Sequence, residues 1–253
     1  MDEFNESRPS CVTGANSFYD NYTTTSALAD LDAVHALRRN LSYFQANFAR
    51  HLPSDRSAKI LEIGCGYGKN LYALKQMGYI SAHGVDLSRE QIEYAHAELG
   101  ITEVALVDVF DWLPNSTERF DCILLIDVLE HLDLAALANL AKLLKSHLEA
   151  GASVIIQVPN DLAPFNSIRC GDLTHMRAFT PQSMKQFFAN AGLVVQAIHE
   201  ALPPRNNVFD LARRALWMGV VRPLLSLVYM LVRTKPVFGL PFTENIVGVA
   251  RKI

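Results

Sequence analysis

The sequence predicts a doubly wound α/β fold, and three observations lead to that expectation. From residue 59 onward, short apolar runs alternate with longer amphipathic segments. The run Phe120–Ile126 (F-D-C-I-L-L-I) is nearly continuously apolar, as a strand covered by helices on both faces must be. Glycines, carboxylates and histidines fall directly after the apolar runs, and in sheets of this kind ligands lie beyond the carboxyl ends of the strands.

The elements follow in order. Lys59–Ile63 reads as the first strand, followed by a glycine loop and a helix from about Lys69 to Met77. Ser81–Val85 is the second strand and ends at Asp86. Ser88 is placed to cap a helix over Arg89–Leu99, where apolar residues recur at helical spacing. Val104–Val107 is the third strand and Phe120–Ile126 the fourth. Asp133 can cap a helix running to about Glu149, and Ser153–Val158 is the fifth strand. Pro181–Ala191 is a helix with proline in its first turn, and Leu193–His199 is the sixth strand. Right-handed crossovers between such units give a parallel sheet. Residues 1–58 begin polar and then show a helical pattern through Leu28, Leu31, Val34, Leu37, Leu41, Phe44 and Phe48, read as a helical cap on the sheet. The expected organisation is a cap at 1–58, a core at 59–200, an apolar insertion at 201–243 and a closing strand at 244–253 of the same domain.

Composition narrows the classes. A chain of 253 residues that is 50% hydrophobic can bury a full core without metal or disulfide staples. A formal net charge of −3 argues against a dedicated nucleic-acid binder, which needs clustered Lys and Arg. The cysteines Cys11, Cys65, Cys122 and Cys170 are far apart, which disfavours a zinc site or a disulfide framework. The acidic start Met1-Asp-Glu-Phe lacks the apolar core of a signal peptide, so a cytoplasmic protein is expected.

The loop after strand one is Glu62-Ile-Gly64-Cys65-Gly66-Tyr-Gly68-Lys69. Its G-x-G-x-G spacing departs from the dinucleotide fingerprint, which needs a glycine where Lys69 stands, and from the P-loop ending. Glu62, two residues before the first glycine, would repel a pyrophosphate and suit a cationic ligand such as an amino acid's ammonium. Asp86 is placed to accept hydrogen bonds from a ribose diol. Asp108 could accept an adenine amino group, with Val109 supplying a backbone contact. Ammonium, ribose and adenine without phosphate describe S-adenosylmethionine (SAM).

The runs I-L-E-I-G-C-G-Y-G, V-D-L-S, D-V-F-D-W-L-P and F-D-C-I-L-L-I-D-V-L-E-H-L together resemble class I SAM-dependent methyltransferases over about residues 55–200. The resemblance implies a Rossmann-like seven-stranded sheet whose last strand is antiparallel, for which Glu244–Arg251 is the candidate. It also implies a SAM pocket formed by Glu62, Gly64, Cys65, Gly66, Gly68, Asp86, Leu87, Asp108, Val109, Ile126 and Asp127. The set of features is similar to methyltransferases of glycan or lipid-linked intermediates and to the ubiquinone-biosynthesis O-methyltransferases. The expected acceptor is therefore a hydroxyl on a small, glycan or lipid-linked molecule.

A hydroxyl acceptor must lose a proton, and a histidine titrating near neutrality suits that role. His175 is the first choice, with Asp172 orienting it, and His131 is the second. An alternative is metal assistance. Asp127, Glu130, His131 and His175 resemble the acid-x-x-Glu-His pattern of the metal-dependent ubiquinone and small-RNA 3′-end 2′-O-methyltransferases, where glutamate replaces Asp127. Mg²⁺ there would polarise an acceptor diol, but no metal is the favoured reading. A non-catalytic SAM-binding scaffold is the alternative from another class.

The segment 211–232 is apolar, with Trp217 and Tyr229 beside Arg213, Arg214, Arg222 and Arg233. Its longest uncharged run, Pro223–Val232, is about half of the roughly 20 residues a spanning helix needs, and Arg222-Pro223 is expected to break it. Two readings stand: a pair of helices on the sheet edge or over the acceptor pocket, and an interfacial anchor on the inner face of a membrane.

Overall fold

The computed structural model describes residues 33–164, 171–204, 207–232 and 240–253. Leu28, Leu31, Cys11, Cys170 and Arg233 of the sequence reading lie outside them. Among the described residues the first element is α1 (Ala33–Asn47), which buries Leu37 and Phe44 and sets Phe48 after its end against the sheet layer. Then come β1 (Ile60–Ile63), α2 (Lys69–Gln76), β2 (Ala82–Asp86), α3 (Arg89–Ala97) and β3 (Val104–Leu106). A short α4 (Val109–Trp112) precedes β4 (Phe120–Ile126), α5 (Leu134–His147) and β5 (Leu148–Pro159). The chain continues through α6 (Pro181–Asn190), β6 (Val194–Glu200), α7 (Val208–Leu216), α8 (Arg222–Val232) and β7 (Asn245–Arg251).

The seven strands form one sheet in the order β3-β2-β1-β4-β5-β7-β6. All neighbours from β3 to β5 are parallel, and β7 runs antiparallel between β5 and β6. Apolar side chains cover both faces. One layer holds Leu125, Leu140, Leu144 and Phe188; the other holds Phe44, Phe48, Leu74 and Leu124. Leu124 and Leu125 are adjacent in β4 and feed opposite layers, which is why that strand is apolar throughout.

The two expected caps are in place: Ser88 Oγ accepts from Gln91 N, and Asp133 Oδ1 accepts from Ala136 N at 2.7 Å. Thr180 with Ser183 adds a capping box ahead of Pro181 that the sequence reading does not name. The glycine of β7 has a packing reason: a Cβ on Gly248 would sit 2.0 Å from Met184 Sδ of α6.

Two expectations need correction. β5 starts five residues early, because Leu148 pairs with Phe120 ahead of a register shift, and the exposed Glu149-Ala-Gly stretch hides that pairing in the sequence. The helix of the insertion is not broken at Arg222-Pro223. It continues from Val208 to Val232 through a π turn at Trp217–Val221, directly before the proline. A π turn rearranges the carbonyl ladder that a proline ring would otherwise strike, so the helix tolerates Pro223. At 24 residues, Val208–Leu231 is long and apolar enough to cross a bilayer by length and composition.

Candidate active site

The site begins where β1 ends. Gly64 N and Cys65 N both donate to Val85 O of β2, at 2.8 and 3.1 Å, and Gly66 N donates to Asp86 Oδ2 at 2.7 Å. Gly64, Gly66 and Gly68 take φ of +70°, +54° and +80°, a region that costs glycine little. At Gly64 a Cβ would also come 2.5 Å from Val128 Cγ2, so the loops after β1 and β4 touch there. Asp86 Oδ1 accepts from Ser88 N at 2.8 Å. Its carboxylate therefore ties the glycine loop to the start of α3, while burial raises its pKa above the ordinary carboxylate value.

A cavity of about 440 Å³ opens beyond these strand ends. Gly64, Cys65, Gly66, Asp86, Leu87, Val109, Ile126 and Asp127 line it, as the sequence reading expects. Three expected residues do not. Asp108 Oδ1 accepts from Phe110 N at 2.8 Å and caps α4, because the chain turns into a helix at once after β3. Gly68 turns toward β3, where a Cβ would meet Ile101 and Val104. Glu62 is fully buried within β1. Its Oε1 accepts from Asn70 Nδ2 at 2.6 Å, Oε2 has no partner, and burial pushes its carboxyl up to about 8.

Asn70 lines the cavity, so Glu62 reaches it through that amide. Asn40 of α1 holds Asn70 in turn, with its Nδ2 donating to Asn70 Oδ1 and Lys69 O, both at 3.0 Å. Asn40 and Asn70 escape the sequence reading. The only local signal is an amide in the first turn of α2.

Asp127 ends β4 with φ of +58°, which no other non-glycine residue among those described adopts above zero. Such strain persists where surroundings over-determine it. Asp127 N donates to Gln157 O at 3.0 Å, and Gln157 Nε2 donates back to the Asp127 carboxylate at 3.0 and 3.2 Å. Tyr43 OH of α1 donates to Gln157 Oε1 at 2.7 Å, and burial with the nearby Asp127 charge raises the phenol's pKa. Helix α1 thus reaches the tips of β4 and β5.

The segment after β5 returns to the same place. Met176 N and Arg177 N donate to Glu130 O at 2.9 and 3.3 Å. His131 lines the cavity; His175 and Asp172 do not. The expected pairing of Asp172 with His175 needs correction. Asp172 Oδ1 accepts from Thr174 N at 2.8 Å and from Thr174 Oγ1 at 2.6 Å, and Thr174 Oγ1 lies 2.9 Å from His131 Nδ1. An aspartate that turns back on the residue two ahead selects Thr174 and passes over His175. The relay therefore runs Asp172–Thr174–His131. Burial, then the neighbouring His175, lowers the pKa of His131 and keeps its ring neutral at physiological pH.

Behind this pair stands Glu130, wholly buried, with neither carboxylate oxygen hydrogen-bonded. Burial and the Asp127 charge hold its pKa well above the usual carboxylate range. His175 Nε2 is 4.0 Å from Glu130 Oε1, and the rings of His131 and His175 meet edge to face at 4.8 Å. One donor atom from each of Glu130, His131 and His175 lies within 4.8 Å of the others. Asp127, the fourth member of the alternative metal set, is not in that group, because Gln157 holds its carboxylate. Two imidazoles and one carboxylate do not suit Mg²⁺, which takes oxygen ligands, and suit a softer divalent ion better.

A sheet in this order, with a cavity past β1, β2 and β4 walled by a glycine loop and carboxylates, defines a class I SAM-dependent methyltransferase. The chain belongs to the methyltransferase domain family, which it matches over residues 34–198. No curated protein matches it by sequence. Among solved structures it is similar to a SAM-dependent methyltransferase from Archaeoglobus fulgidus, at 22% identity, 94% of this chain, 100% of that one and a TM-score of 0.58. It is also similar to one from Mesorhizobium loti, at 16% identity, 83% and 98% coverage and a TM-score of 0.55. Phosphoethanolamine N-methyltransferase 2 from Haemonchus contortus, in complex with SAM, aligns at 14% identity over 92% of this chain and 60% of that one, with a TM-score of 0.56. At these identities the likeness is one of fold.

Proposed function

We propose that this methyltransferase acts on a hydroxyl oxygen of a small, glycan or lipid-linked acceptor, with His131 as the general base. The observation that supports this most is the position of His131: it is the histidine in the cavity wall, and Thr174 and Asp172 hold its Nδ1 side. His175, the base expected from sequence, stands behind it.

SAM fits the cavity on three counts. The volume suits a nucleoside-sized ligand. The buried Glu62 Oε2 lacks a partner and favours a nearby cation. The glycine loop exposes backbone in place of side chains. In this reading Asp86 holds the ribose, Val109 the adenine edge, and Asp127 with the Asn70–Glu62 pair the ammonium end. SAM supplies an electrophilic sulfonium methyl. The protein's part is to align the acceptor, exclude water and take the hydroxyl proton onto His131 Nε2, since Nδ1 is committed to Thr174.

A test is transfer of a radiolabelled methyl group into a cell extract fractionated into lipid, glycan, small-molecule and macromolecular pools. Label in one of the first three, lost in His131→Ala, supports the reading. Label confined to protein or nucleic acid overturns the acceptor class, and absence of transfer with SAM binding intact favours a scaffold.

A second reading places a divalent ion on Glu130, His131 and His175, favoured by the buried, unpartnered Glu130 carboxylate. Chelation should then lower both turnover and thermal midpoint. Unchanged values after EDTA dialysis exclude it.

A further inference from the structure

Helices in globular proteins turn their apolar stripe inward. The first half of the helix Val208–Val232 does the reverse, and its second half is apolar on both sides, with Leu225, Tyr229 and Met230 half-buried. Its half-buried stripe through α7 and the π turn is Asp210, Arg214, Trp217 and Val221. The opposite side exposes Val208, Leu211 and Leu216 in α7, then Leu224, Leu227, Val228 and Leu231 in α8, each at least 49% accessible. No residue of the apolar window Val208–Leu231 is buried in the fold. Exposed apolar surface of this extent marks a docking face.

The geometry decides how a bilayer could meet it. Arg222 Nε lies 3.4 Å from Glu200 Oε1 at the end of β6, and Tyr229 packs edge to face on Phe242 at 5.8 Å between ring centroids. The second half of the helix is thus laid along the catalytic body and cannot be ringed by lipid. The two ends of the segment also return to paired strands, since Ala201 N donates to Asn245 O. A helix of 24 residues is about 36 Å long. With Arg222 and Tyr229 both held to the body, only residues 208–221 are left clear of it, about 21 Å of helix and shorter than the roughly 30 Å of hydrocarbon. A spanning arrangement is excluded despite the composition.

We propose that this helix is an interfacial anchor that lays the enzyme on an anionic membrane surface. Charge selects that occupant. Arg214 lies on the half-buried side and Arg222 is held by Glu200, which leaves Arg213 as the helix's exposed arginine beside the exposed leucines. The exposed face itself is apolar over a length that a lipid surface can take up, and a cation beside such a face suits an anionic headgroup zone. Glu200 ends β6 on the same sheet edge as the cofactor cavity, because β6 runs parallel to β5 through β7. The bilayer would therefore lie at the edge where the acceptor enters. This docking face is independent of the acceptor chemistry proposed above.

The full chain is floated on density gradients with vesicles of phosphatidylcholine alone and of phosphatidylcholine containing phosphatidylglycerol. It should rise with the anionic vesicles and much less with the neutral ones. Leu216→Glu, Leu224→Glu and Leu227→Glu should each lower the partition about tenfold or more, from the loss of one buried leucine. Arg213→Glu should remove the preference for anionic lipid. These side chains are exposed, so thermal midpoint and calorimetric SAM affinity should stay unchanged and report an intact fold. Wild-type protein that remains at the bottom of both gradients overturns the proposal. So does a stable dimer in sedimentation that the leucine variants dissolve, since a second copy would then cover the face. SAM affinity is read separately, so failure of the methyl-transfer reading would be distinguishable from failure of the anchor.

Discussion

Replacing Glu62 by Gln gives the sharpest test of the cofactor site. The substitution keeps the shape and the Oε1 acceptor for Asn70 Nδ2, and it removes only the ionisation. In the folded, ligand-free protein burial raises this carboxyl from 4.5 to about 8. The folded state therefore holds a proton that the unfolded chain has already released across that window. Stability linked to Glu62 is complete below about pH 4.5 and declines as pH rises through 8. A change of that size sets a ceiling of roughly 5 kcal/mol, reduced by any relaxation around the charge. Asp86 and Glu130 are also raised and add their own slopes, so the informative quantity is the difference between variant and wild type. Urea unfolding from pH 5 to pH 9 without ligand should show the Gln variant gaining on the wild type by a few kcal/mol at the alkaline end. The wild type should also bind SAM more tightly as pH rises, because a cation favours the ionised carboxylate, and the variant should lose that trend. A stability difference that is flat with pH would refute the assignment of Glu62 as a buried, cation-seeking acid.

Three other outcomes follow from the same geometry. Asp86→Ala removes the acceptor for Gly66 N and Ser88 N; at about 1.5–3 kcal/mol for a charged hydrogen bond, calorimetric SAM affinity should fall by tenfold to over a hundredfold, and unchanged affinity would remove Asp86 from the site. Gly64→Ala combines positive φ with a collision at Val128 and should lower stability by about 1–3 kcal/mol in thermal melts. His131→Ala should bind SAM normally yet lose about 10²–10⁴ in turnover. Because burial lowers the pKa of His131 in the wild type, the acid limb of the rate profile should lie below 6.5, the base being lost only on protonation there.

What could be read from sequence divides along the range of the interactions. Strand and helix signals are local: the apolar run Phe120–Ile126 and the caps Ser88 and Asp133 sit where periodicity and capping chemistry place them. The carboxylates after β2 and β4 were legible for the same reason, since a strand end is also a sequence boundary. Pairings between distant elements leave no local trace. Tyr43 and Gln157 are 114 residues apart, and nothing around either tyrosine or glutamine announces the bond. Asp108 shows the ambiguity of a polar residue ahead of a helix, where capping and ligand binding use the same side chain; the structure assigns it to capping. At Pro223 the local rule itself failed, because a π turn upstream absorbs what proline would otherwise break.

Glu62 and Glu130 share a feature that stability alone does not explain. Each is wholly buried, each has at least one carboxylate oxygen without a hydrogen bond, and each is pushed toward its protonated form by desolvation. Interiors tolerate such groups poorly, and an isosteric amide or an apolar residue would cost less. Glu62 stands within β1 behind the cofactor end of the cavity and Glu130 in the turn after β4 behind the histidine pair, and each faces a region where positive charge would relieve it. At Glu62 the cofactor, placed as proposed above, would supply that charge. At Glu130 an ion held with His131 and His175, or a cation on the acceptor, would supply it. Ligand binding should therefore stabilise this protein by more than contact area suggests, because it also releases the cost of two unpaired acids.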